Sequence, residues 1–408
     1  MSTLIKNRTK SLNHLEKFAF YQLEKYILPF WRNHSMDHES GGFFGQINND
    51  MSIVREAEKG LILNARILWT FSAVYKKFNQ KPDLELAHRA YNYINSYFND
   101  SHYGGYYWSL NRDGSPKETK KQIYAQAFVI YALSEYYKIT GDHLILKKAI
   151  DLFHLIEENS FDKMKNGYIE ARSREWKEMA DIRLSEKDMN EKKSMNTHLH
   201  ILEAYANLYL VWKDPFLKKQ LENLIRLFAG KIIDQNDSHQ ILFFDDDWNP
   251  RSSIISFGHD IETSWLLHKA ALISENLELM NSITQLSIRM CEAIKKGLSP
   301  KGALYYESDR KRKHQEHEIE WWAQAEGVVG YLNAYSLTRN PDYLDIALGM
   351  TRFIENYIVD KKNGEWFFRV TEEGEPILSH EKAGFWKCPY HNTRMCLELL
   401  HRIDLITT

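Results

Sequence analysis

Histidines and their near neighbours stand out as the residues whose types and spacing suit chemistry. In Ser194-Met-Asn-Thr-His-Leu-His200, Asn196 and His200 are four apart, so a helix puts them on one face. In Phe257-Gly-His-Asp-Ile-Glu262, His259 and Glu262 are three apart and share a face in the same way, so Glu262 is placed to fix the tautomer of His259. Glu320-Trp-Trp-Ala-Gln-Ala-Glu326 sets Trp322 and Glu326 in register, and Phe385-Trp-Lys-Cys-Pro-Tyr-His-Asn392 places His391 just past Pro389, a helix-initiating residue. Arg66 interrupts an otherwise apolar helical stretch.

Imidazoles titrate near neutrality, which suits removal of a proton beside a carbonyl better than protonation of a glycosidic oxygen. A carboxylate-pair glycoside hydrolase is the competing reading, with Asp245, Asp246, Asp247, Asp260, Glu262 and Glu326 as candidate acids and bases. A metal site is a further one, starting from His259 with Glu262 or from His198 with His200. It is weakened because no HExxH pattern occurs and His198 and His200 point about 200° apart on a helix. No metal ligand set is expected.

The elements that position these residues follow from an internal repeat. A short Gly/aromatic element recurs at Gly41-Gly-Phe-Phe-Gly45, Gly104-Gly-Tyr-Tyr-Trp108, Gly167-Tyr-Ile-Glu170, His239-Gln-Ile-Leu-Phe-Phe244, Gly302-Ala-Leu-Tyr-Tyr306 and Gly364-Glu-Trp-Phe-Phe368. The copies are about 62 residues apart, with one longer step of about 73 before the fourth. Each copy reads as a short strand or hairpin, and the chain between copies reads as two helices. The first inner helix is expected over Ala57 to Phe78 and its partner to about Phe98, with Asn79-Gln-Lys-Pro82 between them. Later breaks carry Gly or Pro at Thr140-Gly-Asp142, Lys213-Asp-Pro215 and Arg339-Asn-Pro341. With the N-terminal helix (about Leu4 to Trp31) as the missing outer member, six helical hairpins close into an all-α (α/α)6 barrel spanning residues 1–408 as one catalytic domain, with short β-hairpins in the loops at one end. An open solenoid would have a period nearer 34 residues. The long step is an insertion, Arg172 to Lys193, which fits a solvated excursion and a loop over the site mouth equally well.

Composition narrows the function classes. The net charge of −2 supplies no basic excess for a phosphate backbone, so no nucleic-acid partner is expected. No apolar run approaches the roughly 18 residues of a membrane span, and the N-terminus lacks a signal-peptide core. Cys291, Cys388 and Cys396 form no CxxC pattern, which fits a cytoplasmic protein with reduced thiols. A monomer or weak homodimer is expected.

The segments Ser194–Tyr205, Phe257–Glu262, Trp321–Gly327 and Lys387–Asn392, with Asp181–Asn190 in the insertion, together resemble motifs of the N-acylglucosamine 2-epimerase family, in the branch acting on cellobiose. The resemblance runs from Arg66 to Arg394; Ala323 departs from it, because family members often carry proline there. It implies an (α/α)6 barrel that needs no cofactor and epimerises the reducing-end glucose of β-1,4-linked disaccharides at C2. Such an enzyme would take cellobiose to glucosyl-mannose and lactose to epilactose. It further implies His259 and His391 as the acid/base pair and His200 as a third essential histidine. Arg66, Asn196, Glu262 and Trp322 would hold the reducing-end sugar, Trp386 would stack on the second sugar, and Tyr124 and Asp188 would also contact substrate. A monosaccharide 2-epimerase or aldose-ketose isomerase of the same family is the alternative.

Overall fold

A computed structural model describes residues 2–312 and 314–407, and side chains from residue 9 onward. Six inner helices form a ring: Leu61–Phe78, Ile123–Thr140, Met195–Tyr209, Phe257–Ser274, Trp321–Thr338 and Tyr390–Thr407. Each packs against the next, and the sixth packs against the first, so the ring closes. Outer helices run over Ser2–Gln22, Lys81–Tyr93, His143–Asn159, Pro215–Leu227, Leu277–Ile294 and Pro341–Phe353. This is the expected (α/α)6 barrel. None of the described helices is long and apolar enough to cross a membrane.

Burial explains which helices lie inside. Every residue from Ile123 to Tyr136 is buried, so that helix has no solvent face. Pro215–Leu227, by contrast, buries Leu217, Gln220, Leu221, Leu224 and Ile225, a stripe with 3–4 spacing.

All six Gly/aromatic elements form hairpin turns, each closed by one antiparallel bridge: Met36 to Phe43, Asn99 to Tyr106, Phe161 to Tyr168, Ile233 to Gln240, Leu298 to Leu304 and Val359 to Trp366. A two- or three-residue strand precedes five of the inner helices and pairs with a strand of the following unit, as Lys59–Gly60 does with Ser109–Leu110. The bridge from Ile47 to Ala383 joins the last unit to the first. The first inner helix therefore starts at Leu61 rather than Ala57, because Gly60 is extended and committed to this pairing.

Several hairpins share an anchor that the sequence reading did not identify. Asp37, Asp100, Asp162 and Asp360 each accept backbone N–H bonds within their own turn. Each also pairs with a buried lysine ahead of an inner helix, respectively Lys59, Lys121, Lys193 and Lys382. The lysine ties the turn to the helix start and is itself neutralised there.

The far end of the barrel is built differently. Its turns are tight, and Asn79, Gly141, Glu275 and Arg339 close their helices in the left-handed conformation. The fourth unit's turn uses neither Gly nor Pro: Glu275 takes φ 57° and the Asn276 side chain caps the next helix. The insertion settles over the mouth. Lys187, Asp188 and Met189 wall one cavity, Asp181 and Arg183–Glu186 wall a second, and Ile182 and Leu184 are buried beneath.

Candidate active site

The inner helices begin at the mouth, where the structure has two cavities. The larger mouth cavity, about 1210 Å³, is lined by His259, Asn196, Asp188, Tyr306, Glu307 and Arg369 among others. The second, about 760 Å³ and across the insertion, is lined by Trp386, Trp108, Lys117 and Lys120. His200 and His391 are more deeply buried than His259.

Trp322 joins the two histidines expected to exchange protons. Its ring centroid lies 4.7 Å from that of His259 and 5.6 Å from that of His391. Glu320, itself paired with Arg369, accepts the indole N–H and fixes the ring. Close approach of the helices requires Gly258, where a Cβ would lie 2.6 Å from Cη2 of Trp322.

Each histidine has its Nδ1 engaged. His259 Nδ1 lies 2.8 Å from Ser256 Oγ, His391 Nδ1 2.7 Å from Glu326 Oε1, and His200 Nδ1 3.1 Å from Glu203 Oε2. Nε2 is then the nitrogen each ring offers to a ligand. Glu262 does not hold His259, as its placement one turn away had suggested. Ser256 is the partner instead, while Glu262 pairs with Arg394 and lies 4.0 Å from His391 Nδ1. Desolvation, reinforced by the charges of His200 and Arg66, pushes the pKa of His259 down to about 3. Desolvation also lowers His391, with Arg66 and Arg394 adding to the effect. Burial, then the neighbouring Glu326, pushes Glu262 up to about 7.

Arg66 is buried, donates to Tyr124 Oη at 2.7 Å, and lies 4.4 Å from the Phe128 ring centroid. Among the described residues its Nε has no hydrogen-bond partner, and neither does the buried Asn196 Oδ1. Tyr124 packs edge-on against His200 at 4.8 Å, and Trp386 lies 6.2 Å from Tyr124 and 5.8 Å from Trp108. Asp188 accepts from the backbone and hydroxyl of Ser185, within the insertion. All ten expected residues thus gather at one mouth. His198, by contrast, is bonded to Ser194 O and Tyr168 N–H inside the wall and has no ligand-facing nitrogen.

Glu326, Glu203, Tyr390 and Arg394 join this cluster but were absent from the expected set; Glu326 had been noted in register with Trp322 and among the hydrolase acids, without a role at a histidine. Their signal was spacing: Glu203 follows His200 by three, Glu326 follows Trp322 by four, and Arg394 follows His391 by three. Among the described residues, Glu262, Glu326 and His391 bring ligand atoms within 4.8 Å of one another. Arg394 Nη2 already bonds both carboxylates, so a metal cation there would have to displace a guanidinium, and the cluster fits an ion-pair centre better.

Comparison with known proteins agrees with this architecture. The family model described as N-acylglucosamine 2-epimerase matches residues 42–394. A cellobiose 2-epimerase of Bacteroides fragilis is 48% identical over 93% of this chain and 97% of its own. One from Dictyoglomus turgidum is 37% identical over 96% and 100%. The solved cellobiose 2-epimerase of Bacillus thermoamylovorans superposes with a TM-score of 0.92 at 38% identity, covering 96% of this chain and 100% of that one. A D-mannose isomerase structure, 21% identical with a TM-score of 0.83, covers 94% and 97% and shares the fold. With its model matched over most of the sequence and relatives aligned nearly end to end, this chain belongs to the N-acylglucosamine 2-epimerase family.

Proposed function

We propose that this protein inverts C2 of the reducing-end glucose of β-1,4-linked disaccharides, taking cellobiose to glucosyl-mannose and lactose to epilactose. The observation that carries the reading is the pair His259 and His391, from the fourth and sixth inner helices, set beside one Trp322 ring with Nδ1 of each engaged. Relatives named for cellobiose epimerisation support the substrate class.

Only the open-chain aldehyde makes the C2 proton acidic, so ring opening comes first. One imidazole then enters neutral and removes that proton through Nε2, leaving a cis-enediolate. The other must take up a proton before its turn, against the burial that disfavours its charged form, and delivers it to the opposite face, which inverts the centre; the roles exchange in the reverse direction. Glu326 at His391 Nδ1 stabilises that ring when it carries the charge, and the Arg66 guanidinium stabilises the enediolate oxygen. Each positioned acid/base group contributes about 10²–10⁴-fold. Trp322 provides a platform for the reacting sugar, and Trp386, in the smaller mouth cavity, would stack on the second sugar.

Incubation with cellobiose in deuterated water tests this. Glucosyl-mannose carrying deuterium at C2 is expected, with loss of that product in His259→Ala and His391→Ala proteins that keep their wild-type circular dichroism. Turnover of free mannose or N-acetylmannosamine but not of cellobiose would overturn the substrate class. Near-normal epimerisation in either variant would overturn the two-histidine scheme.

A further inference from the structure

Arg394 sits one turn beyond His391 on the sixth inner helix and is 1% exposed. Carboxylates from three other inner helices converge on its guanidinium. Nη1 donates to Glu203 Oε1, while Nη2 donates to Glu262 Oε1 and to Glu326 Oε1. Two of these carboxylates each hold a histidine, Glu203 through His200 Nδ1 and Glu326 through His391 Nδ1. The Tyr390 hydroxyl also donates to Glu203, at 2.6 Å.

We propose that Arg394 is a positioning residue that, by clamping Glu203 and Glu326, fixes the tautomer and orientation of His200 and His391 together. The proposal rests on the C2-epimerase reading for its kinetic consequence but not for its structural one. An ionised carboxylate can only accept, so the Nδ1 it faces must carry the proton and Nε2 keeps the lone pair. A protonated carboxyl can donate instead, which moves the ring proton to Nε2 and removes the base from the sugar side. Three buried carboxylates in one pocket repel one another, so the cation among them decides which keep their charge: burial, then Glu326, pushes Glu262 up to about 7, and burial raises Glu326 while Arg394 works against that rise. Although burial works against it, Glu203 is held down to about 2, chiefly by Arg394. A lysine would not substitute, because a point ammonium cannot fork to acceptors on both sides as the planar guanidinium does. A purely structural ion pair would leave the tautomers untouched when weakened.

The test uses the full-length protein in two measurements. Nitrogen-15 NMR of the sugar-free protein reads the tautomers, with assignments from His200→Gln and His391→Gln, and steady-state kinetics use cellobiose. Wild type is expected to carry the proton on Nδ1 of both rings. Arg394→Lys should move His200, His391 or both toward the Nε2–H form, and should lower kcat about 10²-fold or more with KM within threefold. Glu203→Gln is nearly isosteric and keeps an acceptor for Arg394 and Tyr390; its amide N–H should move His200 alone and lower kcat. Unchanged tautomers with kcat within threefold of wild type in Arg394→Lys would overturn the proposal, as would a loss confined to KM. Should Arg394→Lys not fold, Glu203→Gln decides, and an unmoved His200 overturns it. If the tautomers shift as expected but wild type does not epimerise cellobiose, the positioning role stands and the substrate reading fails.

Discussion

A histidine in this site loses its charge to burial and gains its function from the same burial. His259 titrates near 6.5 in an unfolded chain but at about 3 in the fold, chiefly because the charged ring is desolvated. Protonation therefore favours the unfolded chain. Stability is fully present above about 6.5 and falls as pH drops from there toward about 3. The loss attributable to this ring is on the order of 2 kcal/mol by pH 5. Denaturant unfolding at pH 7 and pH 5 should show His259→Asn losing less stability across that interval than wild type; an identical loss would remove His259 from the account. At this scale the sequence was readable wherever a residue's type was rare. Histidines and tryptophans at helix starts were found, whereas Glu203 and Arg394 were passed over and Glu326 was given no role at a histidine, because charged residues are common on helices. Only burial turns such residues into a site, and burial depends on which helices meet.

Two adjacent inner helices approach closely at Gly258. A methyl group there would lie 2.6 Å from the Trp322 ring and 2.7 Å from Ala323 Cβ. Gly258→Ala is expected to cost about 1–3 kcal/mol through overpacking. It should also push Trp322 away from His259, lowering kcat more than the stability change alone explains. Thermal unfolding together with kinetics at a temperature where both proteins are fully folded checks this. Wild-type kcat in the variant would mean that the ring position is not critical. The helical hairpins themselves were legible from 3–4 apolar spacing and from Gly and Pro at the breaks. The start of the first inner helix was misplaced because Lys59 and Gly60 pair with Ser109 and Leu110 from the following unit, a contact that local spacing does not encode. The Glu275–Asn276 turn escaped notice because a non-glycine residue adopts the left-handed conformation there.

Closure of the whole molecule depends on contacts between its two ends. Glu365 accepts from Trp31 Nε1 at 2.7 Å, from Lys387 at 2.6 Å and from Asn392 at 2.7 Å, all buried. It thus ties the N-terminal outer layer to the last unit. Glu365→Leu strands Lys387 in the core and is expected to cost about 3–5 kcal/mol, measured by urea unfolding. A change below 1 kcal/mol would mean that the seam does not depend on this carboxylate. The closed ring was legible from the count of six repeats, but the Asp–Lys anchors were not, because the partners lie about 22 residues apart, or 31 for Asp162 and Lys193, with no periodic pattern between them.

The contrast between the barrel's two ends has a practical consequence. Far-side connections are short turns, four of them locked by a left-handed residue, so they leave little room for a change of length. The mouth carries long connections, including the 172–193 stretch that divides the two cavities. Swapping its central part for a segment of different length or sequence, with Arg172 and the anchoring Lys193 kept, is expected to leave the underlying helices and their histidines in register. The molecule is in this sense a fixed reaction chassis with interchangeable fittings, and re-engineering which sugar is accepted becomes a problem of loop grafting rather than core redesign.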